Sequence, residues 1–208
     1  VNAIVCHEKS IYPSKVVCIG RNYVEHIKEL NNEVPQEMVF FLKPNSSISD
    51  TLTTPKNGAL CHYEAEISFL IEENKISAVA FGLDLTLREI QTQLKQKGLP
   101  WERAKAFDKS AVFSPFTPLA LHHDDEINSI EVKLFINEQL IQHGNIEMMI
   151  HQPKDIIKQA QTFLSFEDGD ILMTGTPSGV GKLQQGDIFL GQILKNNKII
   201  IQKEWKVQ

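Results

Sequence analysis

Cysteine is scarce in this chain, basic residues form no cluster, and no apolar stretch is long. Each shortage excludes a class of protein. The three cysteines among 208 residues, Cys6, Cys18 and Cys61, are widely spaced and form no C-x-x-C pair. Neither a disulfide framework nor a zinc knuckle is expected, and the thiols should be buried. The formal net charge of -5, with no Lys/Arg run, leaves no electrostatic footprint for nucleic acid or an anionic membrane surface. Apolar runs such as Val16 to Ile19 and Ile67 to Ile71 are far too short to span a bilayer, and the opening VNAIVCHEKS lacks the basic and apolar regions of a secretory signal. A cytoplasmic protein without nucleic-acid or membrane partners is expected. At 42% hydrophobic residues the chain can bury one substantial core, so residues 1–208 read as a single domain.

What is present is mostly strand. Lys15 to Gly20, Met38 to Lys43, Tyr63 to Ile71, Ser77 to Leu85, Phe116 to Leu121, Ile130 to Asn137, Gln139 to Gln142, Asp170 to Thr174, Asp187 to Leu194 and Lys198 to Trp205 carry the β-branched or alternating pattern, with a tight turn at Asn137-Glu138. Helices are few. Asn22 to Leu30 has helical composition with a weak apolar face; Arg88 to Lys97 reads as a solvent-facing helix capped by Thr86. Pro153 to Leu164 is amphipathic, with Ile156, Ile157, Ala160, Phe163 and Leu164 on one face. Strands and helices do not alternate regularly, which predicts a β-rich α+β fold rather than an open parallel sheet.

The stretch Tyr63 to Ile71 is where chemistry is expected. Successive strand side chains point to opposite faces, so Ala65, Ile67, Phe69 and Ile71 share one face and Glu64 and Glu66 the other. A wet sheet face would explain two acids. The mostly apolar Ser77 to Leu85 segment, however, ends in Asp84, and three converging carboxylates suit a hard divalent ion. The glycines of Thr174 to Lys182 do not have Walker spacing, since Gly175 to Gly181 is one residue too long and Leu183 follows Lys182. They suit a tight loop whose N–H groups approach an anion. His26 and Glu29, three apart on a helix, can form an imidazole–carboxylate dyad or simple surface charge. His122 to Glu126 reads as a solvated turn, and Lys105 as either a surface residue or a substrate clamp.

Five ordered motifs together resemble the fumarylacetoacetate hydrolase family, in particular its short acylpyruvate hydrolase and oxaloacetate decarboxylase members. They are I-G-R-N-Y-x-x-H-x-x-E at Ile19 to Glu29, F-F-x-K-P at Phe40 to Pro44, Y-E-x-E at Tyr63 to Glu66, L-D-x-T-x-R-x-x-Q at Leu83 to Gln91, and T-G-T-P-x-G-V-G at Thr174 to Gly181. The resemblance implies a mixed β-sandwich roll with a few peripheral helices, a homodimer, and a lid over residues 21–37. It implies Glu64, Glu66 and Asp84 as ligands of Mg2+ or Mn2+, with Ca2+ as an inert substitute. His26 and Glu29 become the water-activating pair. Lys105 becomes a catalytic cation, and Arg88, Gln91 and Thr176, with Arg21 and Asn22, substrate contacts. Arg88-Glu89 departs from the Arg-Asp of many members and leaves the substrate open.

The expected reaction is metal-dependent hydrolysis of the C–C bond of an acylpyruvate-type 2,4-dioxo acid through an enolate. Oxaloacetate decarboxylation, or keto-enol or double-bond isomerisation of a 2-oxo diacid, would use the same groups. A non-catalytic metal-binding β-domain would instead keep Asp84 away from Glu64 and Glu66, or close the cluster over with protein.

Overall fold

The structure, a computed structural model, describes residues 1–29, 37–55, 58–120 and 124–208. Its centre is an antiparallel hairpin of Ala65–Glu72 and Lys75–Asp84, around which a mixed eight-stranded sheet is built. On one side Ala65–Glu72 pairs with Ile171–Met173, which runs parallel to Lys15–Gly20, itself antiparallel to Val39–Pro44. On the other side Lys75–Asp84 pairs with Ala111–Phe113, and Ile48–Ser49 lies parallel beyond it. A four-stranded antiparallel sheet of Gln139–Asn145, Ile130–Ile136, Ile188–Lys195 and Lys198–Lys206 packs across it. Four short helices lie at the periphery: α1 (Val24–Glu29), α2 (Arg88–Gln96), α3 (Glu102–Lys105) and α4 (Pro153–Ala160). The β-rich roll expected from the sequence is present.

Four two-residue turns, His7-Glu8, Glu73-Asn74, Asn137-Glu138 and Asn196-Asn197, have positive φ at both positions. That conformation matches the twist of the strands it joins, and Asn tolerates it best among residues with a Cβ. The hairpin after Glu73-Asn74 also contains a bulge. Ile71 lies opposite Ile76 but Leu70 lies opposite Ala78, so Ser77 is an extra residue on its strand.

The main core fills the space between the two sheets. Ile67, Phe69, Val79 and Phe81 from the large sheet meet Val132, Leu134, Phe189, Ile193 and Trp205 from the small one. Contact is closest at Gly191, where a Cβ would stand 2.5 Å from Cδ1 of Phe81. Val132 and Leu134 are buried and Glu131 and Lys133 are less so, as their alternation requires.

The central strand corrects the wet-face expectation. All residues from Ala65 to Ile71 are buried, because Leu70, Ala80 and Met173 on the far face pack with Ile4 and Cys6 of the N-terminal strand and with Phe116, bridged to Cys6. Other boundaries also differ. Thr86 does not cap α2, whose preceding residue is Leu87. The amphipathic helix stops at Ala160, so Phe163 is 58% exposed and stacks edge-on against Phe40 instead of entering the core. The Phe116 to Leu121 strand is reduced to Thr117–Pro118. Residues 121–123, including His122 and His123, and residues 30–36 of the expected lid lie outside the described residues.

Gly191→Ala should therefore destabilise the protein by about 1–3 kcal/mol through overpacking against Phe81. Urea titration measures it. An unchanged midpoint would mean that the two sheets can separate there at no cost.

Candidate active site

Hairpin register assembles the acids. Ala65 lies opposite Leu83, and the Asp84 N–H donates to the Glu64 carbonyl at 2.9 Å, so Glu64 and Asp84 face each other across the pair. Glu66 is one pleat further along on the same face. Carboxylate oxygens of Glu64, Glu66 and Asp84 lie within 4.8 Å of one another, all buried.

Such repulsion needs cations, and three lysine or arginine side chains supply them. Lys105 Nζ lies 2.8 Å from Glu64 Oε2, 2.6 Å from Asp84 Oδ2 and 2.6 Å from the Thr86 hydroxyl. Lys43 Nζ lies 2.7 Å from Asp84 Oδ1 and donates to the Ser110 carbonyl at 3.0 Å and the Leu85 carbonyl at 3.3 Å. Arg88 pairs with Glu64 and donates to Gln91 Oε1 at 2.7 Å. Lys105 is thus buried at the centre of the site, resolving its surface-or-clamp ambiguity.

The carboxylates are not equivalent. Burial opposes ionisation of Glu64, but the Lys105 and Arg88 cations outweigh it and hold this carboxyl well below its usual range. Asp84 and Glu64 outweigh the burial of Lys105 and raise its ammonium. Glu66 has no ion-pair partner among the described residues; its one clear support is the Gly175 N–H, 2.7 Å from Oε2. Burial first, then Asp84 and Glu64, push it well above the usual carboxylate range. A buried all-oxygen set with one carboxylate lacking a counter-charge fits a divalent cation. The glycine loop therefore does meet an anion, the protein's own Glu66. Gly175 serves with φ 95°, and a Cβ there would approach Asn22 Cβ to 2.9 Å.

The acids open into a cleft enclosing about 400 Å3, part of it open solvent, whose walls include Arg21, His26, Arg88, Gln91, Lys95, Lys105 and Thr176. His26 is buried, with Nδ1 3.2 Å from Glu29 Oε2, while Glu29 Oε1 accepts the Gly179 N–H at 3.0 Å. Desolvation outweighs the attraction of Glu64 and Glu29 and lowers the imidazole below its ordinary value. A neutral imidazole oriented through Nδ1 leaves Nε2 as the nitrogen able to move a proton. Arg21, with φ 59°, turns the chain from the Lys15–Gly20 strand into this wall.

Two expected substrate contacts are otherwise engaged. Asn22 is fully buried and does not line the cleft. Its amide donates to the carbonyls of His151 and Thr174 and accepts the His151 N–H, which uses its hydrogen-bonding capacity to join three segments. Thr176 lines the cleft, but its hydroxyl donates to the Ala65 carbonyl at 2.8 Å and accepts from Gln142 at 2.9 Å. Sequence reasoning missed Lys43, although a lysine ending the apolar run MVFFLK was the available signal. It also missed Gln142 and Lys95.

Residues 15–199 match the sequence profile of the fumarylacetoacetate (FAA) hydrolase C-terminal family. The chain belongs to the fumarylacetoacetate hydrolase family. It is similar to the oxaloacetate tautomerase YcgM of Escherichia coli strain K12, at 41% identity over 85% of this chain and 87% of the relative. Among solved structures it is similar to a protein of Oleispira antarctica, at 34% identity over all of both chains with a TM-score of 0.93. It is also similar to the fumarylpyruvate hydrolase of Pseudomonas aeruginosa in complex with Mn2+ and pyruvate, at 26% identity over 99% of this chain and 95% of that one with a TM-score of 0.88. The three acids, His26 and Lys105 of this family member line one cleft.

Two outcomes follow from the electrostatics. A proton on Glu66 competes with a cation, so Mn2+ affinity should keep rising with pH above the usual carboxylate range and binding should release protons. Calorimetric titration in buffers of different ionisation enthalpy reads both, and a pH-independent affinity would rule Glu66 out as a ligand. Separately, Lys43→Met leaves Asp84 Oδ1 and the carbonyls of Leu85, Lys105 and Ser110 without their buried partner and should cost about 3–5 kcal/mol in a urea melt of the metal-free protein.

Proposed function

We propose that this enzyme interconverts the keto and enol forms of oxaloacetate, using Mg2+ or Mn2+ held by Glu64, Glu66 and Asp84. The observation that carries the reading is the single cleft lined by this carboxylate triad, the Lys105 ammonium and His26, whose Nδ1 is held by Glu29 behind it. The similarity to an oxaloacetate tautomerase over most of both chains supports this reaction above hydrolysis of acylpyruvates. A bound divalent ion would act as a Lewis acid on the oxygens of the 2-oxo acid and favour ionisation at C3.

The protein's own groups do the rest. His26 Nε2 takes a proton from C3, and Glu29 keeps the imidazole in the tautomer with Nδ1 protonated. Lys105 donates to the oxygen on which negative charge develops, releasing one of the three N–H bonds that Glu64, Asp84 and Thr86 otherwise accept. Arg88 and Gln91 receive the adjacent carboxylate. Passing that proton from the His26 imidazolium to the oxygen completes the enol and restores the neutral imidazole, and the same steps in reverse return the ketone. No water attacks and no C–C bond breaks.

Hydrolysis of a 2,4-dioxo acid remains a second reading, supported by the similarity to a fumarylpyruvate hydrolase. It would use the same imidazole to deprotonate a water. With Mg2+ or Mn2+, the spectroscopic decay of enol-oxaloacetate should exceed the buffer rate, with little pyruvate or carbon dioxide formed. His26→Ala should lower that rate by about 10²–10⁴-fold, and Ca2+ should bind without supporting it. Background-rate tautomerisation together with cleavage of acetylpyruvate to pyruvate and acetate would replace the proposal with the hydrolase reading.

A further inference from the structure

The cleft contains a cation that the reaction described so far does not use. Lys95 stands two turns beyond Arg88 on α2, so Arg88, Gln91 and Lys95, at i, i+3 and i+7, share the helix face that lines the cleft. Its ammonium lies 5.0 Å over the Trp101 ring, and Trp101 is itself stacked on Phe41 at 5.9 Å; both rings line the same cleft. This aromatic platform holds a half-buried, flexible side chain at the wall rather than in solvent. Among the described residues no carboxylate lies within ion-pair distance of it.

On the cleft walls Arg88, Lys95 and Lys105 equal Glu64, Glu66 and Asp84 in number. A divalent ion on the triad would leave an excess of about two positive charges, more than one carboxylate can neutralise. Desolvation, followed by repulsion from Arg21, Arg88 and Lys105, pushes the Lys95 ammonium down to about 8. A cation crowded in this way gains most from an anion placed beside it.

We propose that Lys95, seated on Trp101, receives the second carboxylate of a dicarboxylic 2-oxo acid and so selects diacid over monoacid substrates. This rests on the reading of the cleft as a 2-oxo acid site, in which the first carboxylate and the oxo group lie at the triad. Lys95 then acts through binding at the far end of the substrate and takes no part in proton transfer.

The test compares ligands with and without that far carboxylate on the Mn2+-loaded enzyme. Oxaloacetate carries it, whereas oxalate, which should chelate an ion on the triad and compete there, has no far end. In Lys95→Gln the KM for oxaloacetate should rise about tenfold or more, with kcat changed less and the Ki of oxalate within twofold of wild type. Lys95→Arg should recover most of the loss. The retained oxalate affinity also establishes that the variant is folded. An unchanged KM, or equal weakening of both ligands, overturns the role of Lys95 while leaving the 2-oxo acid site intact. A wild-type enzyme that neither turns over oxaloacetate nor binds oxalate overturns the site reading and this inference together.

Discussion

Three carboxylates forced together away from water are the constraint around which the rest of this protein is arranged. Their mutual repulsion is offset by Lys43 from below, Lys105 from the side and Arg88 from α2. Each of these cations also does structural work. Lys43 gathers the carbonyls of Leu85 and Ser110, and Lys105 anchors α3 to the end of the central hairpin through Thr86. Breaking one such pair strands a charge in a medium that solvates it poorly, which makes the whole cluster stand or fall as a unit. Among the described residues Glu66 alone of the three is left without a cation, an asymmetry that suits the set to a divalent ion.

Much of this arrangement was legible in the sequence because it follows from periodicity. The two-residue repeat places Glu64 and Glu66 on one face, and an acid ending an apolar strand marks Asp84 as anomalous. The His26–Glu29 pair follows likewise from helical spacing. What could not be read depends on which surfaces meet. Nothing local says that the far face of Ala65–Glu72 is covered by the N-terminal region, or that Lys43 points into a cage of carbonyls. Asn22 sits among motif residues, yet its amide is consumed in joining Thr174 and His151, segments more than a hundred residues away. Phe163 fits a helical apolar face, but the helix ends before reaching it.

The cleft joins two kinds of support. Its floor is strand, fixed by ladder hydrogen bonds and by the contact of Gly191 with Phe81. Its walls come from short helices and from the Gly175 to Gly179 loop, whose backbone N–H groups hold Glu66 at one end and Glu29 at the other. The carboxylates thus stand on the fixed floor, and Arg88, Gln91 and Lys95 project from a helical wall above it.

The bulge at Ser77 has a consequence for the carboxylates at the other end of the hairpin. Counted from the Glu73-Asn74 turn without an extra residue, Leu83 would stand opposite Glu64. Asp84 would then project to the opposite face, away from both glutamates. One unpaired serine, whose carbonyl is satisfied by the Leu119 N–H, shifts the count so that aspartate and glutamate coincide. The phase of the carboxylate set is thus determined by a single irregularity several residues away, at Ser77, outside the cluster itself.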